Sequence, residues 1–481
     1  MQSTELLLPP AKHFVNGEFI DGTDFFSVLD PSTERAVLDV PRAGVQDVDA
    51  AVAAAKRAFT TWGRTLPGER AAVLLKIADR LEAHQQELMA LESLNTGKPA
   101  AVAQDDVASA IDSFRFMAGA LRSGTSLSAG EYAKDHFSVI VREPLGVVGA
   151  VTPWNYPLLM GVWKIAPILA AGNTLVLKPS ETTPLSTLKF AELTADLMPE
   201  GVFNVLTGRG SVIGTRLSEH PDVAMVALTG SVGSGVSVAS VAAQSVKRVH
   251  LELGGKAPVL VFEDADIDAA VDGLRAAGYW NSGQECGAAC RVLVHESIAE
   301  EFTAKLGAAV ATLAVGAPDE GESVELGPMI SRAHYERVLA HLSKAEAEGA
   351  RFVTGGGPVE RTGYFIEPTV IAAPRGASCT QEEIFGPVVS VETFATEAEA
   401  IERANEVPFG LAASVWTKDA QRSHDVASRI DAGTVWVNSH LALATEMPWG
   451  GFKGSGYGRD LSAYAIDDYS RTKHVMHHTG R

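Results

Sequence analysis

The chain has 481 residues, of which 46% are hydrophobic and 21% are charged, a balance typical of globular proteins. This length predicts about three domains rather than a single compact core. Asp and Glu number 59 against 40 Lys and Arg, which gives a formal net charge of −19. The acidic surplus argues against nucleic acid and anionic membrane surfaces as partners.

Cysteine is sparse, with Cys286, Cys290 and Cys379 in the whole chain. A small, odd number in a long chain is typical of a reducing compartment and argues against a disulfide framework. No second cysteine pair or nearby histidine completes a tetrahedral set around Cys286 and Cys290. The sequence therefore predicts no metal site.

No targeting segment is expected. The first ten residues lack the basic region and the long apolar core of a signal peptide. The most apolar stretch, residues 157–172, contains Lys164 and is too short to span a bilayer. A cytoplasmic location is the resulting expectation.

Helical spacing of apolar residues predicts two amphipathic helices near the start of the chain, over residues 45–61 and from Leu74 to Leu91. From about residue 146, short apolar runs alternate with helix-like segments. The runs are residues 146–151, 174–177, 202–206, 223–228 and 249–251. Such alternation is typical of parallel strands joined by crossover helices, which is the pattern of a doubly wound α/β domain.

The same pattern begins again near residue 253. Residues 258–262 and 291–294 read as strands, and residues 267–280 between them read as a helix. Asp264 is the predicted N-terminal cap of that helix. A second α/β domain is the natural interpretation.

A thiol and a carboxylate lie in two glycine-containing segments. Cys286 is in residues 281–291, and Glu252 is thirty-four positions earlier in residues 250–258. A thiolate can attack a carbonyl carbon, and a carboxylate can take a proton from the water that later releases the product. A free cysteine can also be a small buried hydrophobic residue, so these segments alone leave both interpretations open.

Further polar residues follow predicted strands, at the edge where α/β sheets bind ligands. Asn155 could donate to a developing oxyanion or form a turn beside proline. Lys178 and Glu181 could hold the hydroxyls of a diol or form a solvated ion pair. Gly230 and Ser231, in a strand-to-helix turn, could contact a pyrophosphate, although such a turn is weak support by itself.

Six motifs between residues 154 and 459 resemble, in order and spacing, the signature segments of the aldehyde dehydrogenase superfamily, and the resemblance covers nearly the whole chain. They include residues 381–387 and 448–459, which carry no functional signal by themselves. The resemblance implies an α/β fold with two doubly wound parallel-sheet domains and a β oligomerisation arm. It also implies a homo-oligomer, either a tetramer or a dimer.

The resemblance divides the chain into parts. Residues 1–120 and 146–252 would form an NAD-binding domain, to which residues 446–466 return. Residues 253–445 would form the catalytic domain. Two segments, residues 121–145 and 467–481, would form the oligomerisation arm.

The resemblance also implies the chemistry. Cys286 would attack an aldehyde, Asn155 and the cysteine's backbone N–H would hold the oxyanion, and Glu252 would activate the water that hydrolyses the thioester. Glu181 would repel a 2′-phosphate, which favours NAD over NADP as cofactor. The cofactor-binding residues implied are Thr152, Pro153, Trp154, Lys178, Pro179, Ser180, Glu181, Gly230, Ser231, Gly235, Leu253, Glu383 and Phe385.

Residues 278–295, 437–440, 446–448 and 470–475 resemble the 4-aminobutyraldehyde dehydrogenase branch of that family, which is close to the betaine-aldehyde enzymes. This implies oxidation of 4-aminobutyraldehyde to 4-aminobutanoate, with betaine aldehyde or a general aliphatic aldehyde as alternatives. Aromatic rings and carboxylates that could hold a cationic substrate are Tyr156, Trp163, Trp436, Asp106, Asp112 and Glu285. The sequence departs from the branch at Trp449 and Gly287, and both departures could alter the substrate pocket.

Two other classes of function remain as alternatives. A cysteine thioesterase needs the thiol and the carboxylate but no cofactor, and the ribose and pyrophosphate motifs argue against it. A non-catalytic scaffold protein is disfavoured because Cys286, Glu252 and Asn155 are all present.

Overall fold

A computed structural model describes residues 8–124 and 128–480. The helices are α1 (Val45–Trp62), α2 (Pro67–Ala83), α3 (Gln85–Thr96), α4 (Ala100–Arg122), α5 (Pro157–Ala170), α6 (Leu185–Thr194), α7 (Gly210–Glu219), α8 (Val232–Ala243), α9 (Ile267–Tyr279), α10 (Ala299–Val310), α11 (Arg332–Ala347), α12 (Ser378–Gln381), α13 (Glu397–Asn405), α14 (Ala420–Arg429) and α15 (Ser462–Asp468). The strands are β1 (His13–Val15), β2 (Glu18–Ile20), β3 (Phe25–Asp30), β4 (Arg35–Pro41), β5 (Ala129–Ala133), β6 (His136–Pro144), β7 (Val147–Val151), β8 (Thr174–Lys178), β9 (Phe203–Val205), β10 (Val223–Gly230), β11 (Arg248–Leu253), β12 (Pro258–Val261), β13 (Arg291–His295), β14 (Arg351–Thr354), β15 (Thr369–Ala372), β16 (Val388–Phe394), β17 (Phe409–Gly410), β18 (Ala412–Trp416), β19 (Thr434–Val437), β20 (Phe452–Lys453), β21 (Gly456–Tyr457) and β22 (Ser470–His478). Predictions that fall on residues 1–7, 125–127 and 481 lie outside the described residues, and they include most of the ten N-terminal residues and parts of the first domain and the arm.

The first sheet has the order β2-β1-β9-β8-β7-β10-β11-β21. Its strands β9, β8, β7, β10 and β11 are parallel, and every residue of β7 and β8 is buried because helices cover both faces. The carboxyl ends of these strands meet at one edge, where Val151 pairs with Lys178 and Gly230 pairs with Leu253. Ligands of open α/β sheets bind at this kind of edge.

The second sheet has the order β14-β15-β16-β13-β12-β18-β19, and all of its neighbours except β14 and β15 are parallel. It has hydrophobic cores of its own on its two faces, one against α9 and α10 and one against α13 and α14. The predicted α/β class with parallel-sheet domains is confirmed. Strand β21 returns late in the chain to pair with β11 of the first sheet, opposite Glu252.

A third sheet, β22-β6-β5, is built from the two segments predicted as the oligomerisation arm. Strands β22 and β6 pair over nine positions, from Ser470 opposite Pro144 to His478 opposite His136. The first two residues of the predicted arm, 121 and 122, instead end α4. That this sheet joins subunits stays a prediction.

Two predictions about helices are wrong. The apolar pattern from Leu74 to Leu91 is two helices, α2 and α3, which meet at His84, because the apolar spacing continues in phase across the break. The cap of α9 is Asp266, whose side chain accepts the Ala269 N–H at 3.2 Å. Asp264 instead accepts hydrogen bonds from the backbone that leads into α14.

Among the described residues, no helix combines the length and the apolar character that crossing a membrane would require.

Candidate active site

Cys286 lies in the loop between α9 and β13. The chain turns sharply after α9 because Asn281 adopts a left-handed backbone conformation, with φ of 50°. The Asn281 side-chain amide donates to the carbonyls of Asn155 and Gln284, each at 3.1 Å. Asn155 Nδ2 donates to the same Gln284 carbonyl at 3.1 Å. These hydrogen bonds attach the cysteine loop to the segment that follows β7 and bring the Cys286 loop beside Asn155.

The Cys286 thiol lies beside the carboxylate of Glu285. Its Sγ donates to Glu285 Oε1 at 3.4 Å, and the Gly287 N–H donates to the same oxygen at 3.0 Å. Burial raises the pKa of Cys286 well above its usual range, and the carboxylates of Glu252 and Glu285 raise it further. Attack by a thiolate therefore requires a group that removes the proton.

Glu252 is buried in β11, where its strand partner is Gly456 of β21. Burial raises the pKa of Glu252 to about 8, and the positive charge of Lys164 opposes that rise. The Trp449 indole N–H donates to Glu252 Oε1 at 3.2 Å, which also favours the carboxylate. A pKa near neutrality suits a group that takes and returns a proton.

A network of buried charges lies behind Glu252. Lys164 Nζ pairs with Asp460 at 2.5 Å, and His250 lies between Asp460 and Asp468 at 3.3 and 3.1 Å. Burial raises the pKa of Asp460, but Lys164 and His250 outweigh it, so the pKa is lowered overall. The negative charge of Asp460 therefore balances the lysine in the interior.

A cavity of about 370 Å³ lies against Cys286. Its aromatic lining residues are Tyr156, Trp163, Trp280 and Trp449, and its acidic lining residues are Asp105, Asp106 and Glu285. Four of these were predicted for the substrate: Tyr156, Trp163, Asp106 and Glu285. Rings and carboxylates together suit a positively charged guest.

Two residues predicted for the cavity lie outside it. Trp436 is buried behind the wall, where its indole N–H donates to the Ala442 carbonyl at 2.8 Å. Asp112 lies on the exposed side of α4 and accepts the Thr445 hydroxyl at 2.6 Å. The α4 residues that do line the cavity are Asp105, Asp106, Ser109 and Ser113.

Asp106 is part of a buried ion cluster. Lys98 Nζ pairs with both Asp106 and Glu92, and it lies 4.6 Å from the centre of the Tyr156 ring. Burial raises the pKa of Asp106 to about 7 although Lys98 opposes the rise. Within the part of the chain that the structure describes, Asp106 Oδ1 has no hydrogen-bond partner.

The residues predicted for the cofactor's adenosine end lie at the carboxyl edge of the first sheet. Thr152, Pro153 and Trp154 follow β7, and the buried Pro179 and Ser180 follow β8. Lys178 Nζ pairs with the half-exposed Glu181 at 3.2 Å. A second cavity, of about 300 Å³, lies beside this edge between α7 and α8.

The turn from β10 into α8 has the features expected of a diphosphate contact. Ser231 caps α8 by accepting the Ser234 N–H at 3.2 Å. A side chain at Gly235 would lie 2.6 Å from Leu253, so the missing side chain lets the helix pack closely on β11. The N-terminus of α8 therefore lies close to the carboxyl end of β11, where a helix N-terminus favours an anion.

The residues predicted for the nicotinamide end lie between α12 and β16 of the second sheet. Glu383 Oε1 accepts the Gly255 N–H at 2.9 Å, next to the segment that carries Glu252. Phe385 has a left-handed backbone, with φ of 61°, and its ring lies 5.3 Å from that of Trp154. The two ends of the predicted cofactor site thus meet at Trp154.

Sequence reasoning missed His440, which lines the cavity. Its Nε2 donates to the Gly287 carbonyl at 2.7 Å, and its Nδ1 accepts the Ser414 hydroxyl at 2.8 Å. Burial lowers the pKa of His440 to about 4, so the ring is neutral and ties the cysteine loop to β18. Trp280 was also missed, although its place at the end of a helix six residues before Cys286 is visible in the sequence.

Comparison with known proteins agrees with this geometry. A sequence profile of the "Aldehyde dehydrogenase family" matches residues 19–475. The chain is 41% identical to a chloroplastic betaine aldehyde dehydrogenase of Beta vulgaris over 97% of this chain and 96% of that protein. It is also 41% identical to a peroxisomal aminoaldehyde dehydrogenase of Pisum sativum, over 98% and 96%. A crystal structure of betaine aldehyde dehydrogenase from Staphylococcus aureus in complex with NAD⁺ matches with a TM-score of 0.96, 36% identity and coverage of 98% and 96%.

A thiol and a buried carboxylate beside a dinucleotide-type sheet edge suit an oxidoreductase. The chain belongs to the aldehyde dehydrogenase family, and it acts on an aldehyde with NAD as cofactor.

The residues present fit NAD. Lys178 and Glu181 offer an ammonium and a carboxylate to ribose hydroxyls, and the buried Thr152 hydroxyl has no partner among the described residues. A side chain built at Gly233 would meet nothing within 4 Å, so the start of α8 leaves room for a bound group.

Proposed function

We propose that the protein oxidises an ω-aminoaldehyde, with 4-aminobutyraldehyde first, to its carboxylic acid, and that Cys286, Glu252 and Asn155 are the catalytic residues. The observation that carries the substrate proposal is the cavity against Cys286, which combines four aromatic rings with three carboxylates. Relatives named for aminoaldehydes and for betaine aldehyde support an amine-bearing substrate.

In the proposed mechanism, Cys286 loses its proton to Glu252 and attacks the aldehyde carbon, which forms a thiohemiacetal. Asn155 has a second side-chain N–H besides the one that donates to Gln284, and it stabilises the oxyanion together with the Cys286 backbone N–H. NAD, when bound, takes up a hydride, and a thioester is left on Cys286. Glu252 releases the thiol proton to solvent and then takes a proton from water as the oxygen of that water attacks the thioester carbon. The C–S bond breaks, the acid leaves, and Glu252 returns the proton to the Cys286 sulfur.

An ammonium group suits this cavity better than a trimethylammonium group. An ammonium group carries three N–H donors, and Asp106 offers a buried carboxylate oxygen that has no partner within the described residues. A quaternary nitrogen cannot donate a hydrogen bond, so it would gain only the contact with the rings. Betaine aldehyde is nevertheless the second candidate, because several relatives bear that name.

The test compares 4-aminobutyraldehyde, butyraldehyde and betaine aldehyde by kcat/KM. We expect a preference of about tenfold or more for the amine over butyraldehyde, equivalent to roughly 1.4 kcal/mol of transition-state stabilisation. Asp106→Asn should reduce this ratio because the ammonium loses a charged acceptor.

Asp112→Asn is the matched control, because it makes the same change on α4 outside the cavity and should keep the ratio. Equal efficiency on butyraldehyde and the amine would leave a general aliphatic aldehyde dehydrogenase. A higher value for betaine aldehyde would favour the second candidate.

We also propose that the chain works as a homo-oligomer joined through the β22-β6-β5 sheet, in the cytoplasm, as part of polyamine catabolism. The long pairing of β22 with β6 supports the first point, because it makes an extended surface outside the two larger sheets. Three free cysteines support a reducing compartment.

A further inference from the structure

Trp449 connects two parts of the active site. It is 2% exposed, it lines the cavity, and its indole N–H donates to Glu252 Oε1 at 3.2 Å. Its backbone is fixed by a pair of hydrogen bonds with Asp460, each of 2.8 Å. Because the backbone of Trp449 is held in position, its indole can hold the Glu252 carboxylate in one orientation.

Gly287 makes room for this indole. A side-chain carbon at position 287 would lie 2.8 Å from Trp449 Cη2, which is closer than real contacts of that kind. The two residues at which the sequence departs from its branch thus touch each other, and the small one accommodates the large one.

We propose that Trp449 is a positioning residue for Glu252. Its indole N–H holds the carboxylate in the orientation from which Glu252 activates the hydrolytic water. The absence of a side chain at Gly287 leaves the space that the indole occupies. This inference rests on the proposed function, in which Glu252 is the base.

Besides Trp449, two charged groups and one thiol among the described residues influence the pKa of Glu252. Lys164 of α5 and the Cys286 thiol of the loop before β13 favour the carboxylate, and Asp460 before α15 disfavours it. Trp449 is an uncharged donor, so its loss changes the hydrogen bonding of the carboxylate and adds or removes no charge.

The sign of the effect follows from which form the indole stabilises. Its N–H stabilises the carboxylate, so removing it raises the pKa of Glu252 further above the usual glutamate range. Glu252 acts as a base only when it is deprotonated. As pH is lowered, hydrolysis in the variant should therefore be lost at a higher pH than in the parent. A hydrogen bond to a charged group corresponds to a shift of about one pH unit.

The main experiment is the pH profile of NADH production by the full-length Trp449→Phe variant with NAD and substrate. We expect the acid limb of kcat to move upward by about one pH unit. A burst of NADH should appear near neutral pH, because acyl transfer to Cys286 then precedes slow hydrolysis. Trp416→Phe is the control, since it removes a buried indole whose N–H also donates at 3.2 Å, to Ser414 in the second sheet.

A second variant tests whether the missing side chain at Gly287 is needed to keep the indole beside Glu252. Gly287→Val should push the indole away from Glu252 and shift the acid limb in the same direction. In the Trp449→Phe background the same change should shift the acid limb by less, because the indole N–H is already absent and, of the atoms nearest to position 287, only Leu441 Cδ2 at 3.3 Å remains. Fully additive effects would contradict the coupling.

The outcomes separate this inference from the proposed function. An unshifted acid limb in a folded Trp449→Phe variant, or an equal shift in Trp416→Phe, would overturn the role of Trp449. Glu252→Gln should give one burst of NADH and then slow turnover at every pH. Steady turnover of Glu252→Gln near the parent rate would instead contradict Glu252 as the base.

Discussion

At the scale of single residues, burial raises the pKa of both reacting groups, and this has opposite consequences for their reactivity. It raises the pKa of Glu252 to about 8, where the carboxyl group can exchange a proton near neutrality. It also raises the pKa of Cys286, which keeps the thiol protonated and less reactive at rest. The carboxylate of Glu252 therefore assists the attack by speeding the loss of the thiol proton, whereas the later hydrolysis depends on it as the base.

The two cysteines of the loop provide an internal comparison. Cys286→Ser should lose dehydrogenase activity by several orders of magnitude and still bind NAD, because a serine hydroxyl is not ionised near neutral pH. Cys290→Ser should be nearly neutral, since Cys290 does not line the cavity. Activity assays and NAD titration by fluorescence measure both properties, and equal losses in the two variants would refute the assignment of the nucleophile.

Glu181 should decide the choice between NAD and NADP. Its carboxylate lies 3.2 Å from Lys178, where it would repel a 2′-phosphate. Glu181→Ser should improve kcat/KM for NADP relative to NAD by roughly tenfold, because a like-charge contact is removed. Glu192→Ser, which breaks the similar Lys189 pair on α6, is the matched control and should leave the ratio unchanged. A parent that already prefers NADP would show that this reading of Glu181 is wrong.

At the scale of elements, the strands of the parallel sheets were the most predictable part of the fold. Strands such as β7 and β8 are buried on both faces, so they appear as continuous apolar runs. Helix ends were less predictable, because apolar spacing continues through the break at His84 and two aspartates compete for the cap of α9.

Only some of the residues that line the cavity could be predicted from the sequence. Tyr156 directly precedes α5 and Trp163 lies within it, so both could be predicted as lining residues. Which of Trp280 and Trp436 lines the cavity depends on how α9 and β19 pack. The Trp449 contact with Glu252 joins residues 197 positions apart, and nothing local in the sequence indicates it.

At the scale of the whole molecule, the third sheet presents exposed apolar side chains. Phe137 and Val141 of β6 are each 39% exposed and lie on the same face of that strand. Clustered exposed apolar groups mark interaction surfaces. This sheet is the surface through which we propose that copies of the chain associate.

The association can be measured by light scattering. We expect the parent to have the mass of a tetramer or a dimer, and the Phe137→Glu, Val141→Glu double variant to have a lower mass, because charge disfavours burial at an interface. Leu66→Glu with Leu75→Glu changes two exposed leucines outside the third sheet and should keep the parent mass. A monomeric parent would contradict the proposal.

The late return of residues 449–460 to Glu252 has a consequence for how the protein is made. The strand that carries the base leaves the ribosome about two hundred residues before Trp449 does. Contacts so distant in sequence form after local ones. A nascent chain can therefore carry every strand of the first sheet except β21, and the cysteine loop, while its base still lacks an indole partner. Hydrolytic competence is acquired only when synthesis is nearly finished.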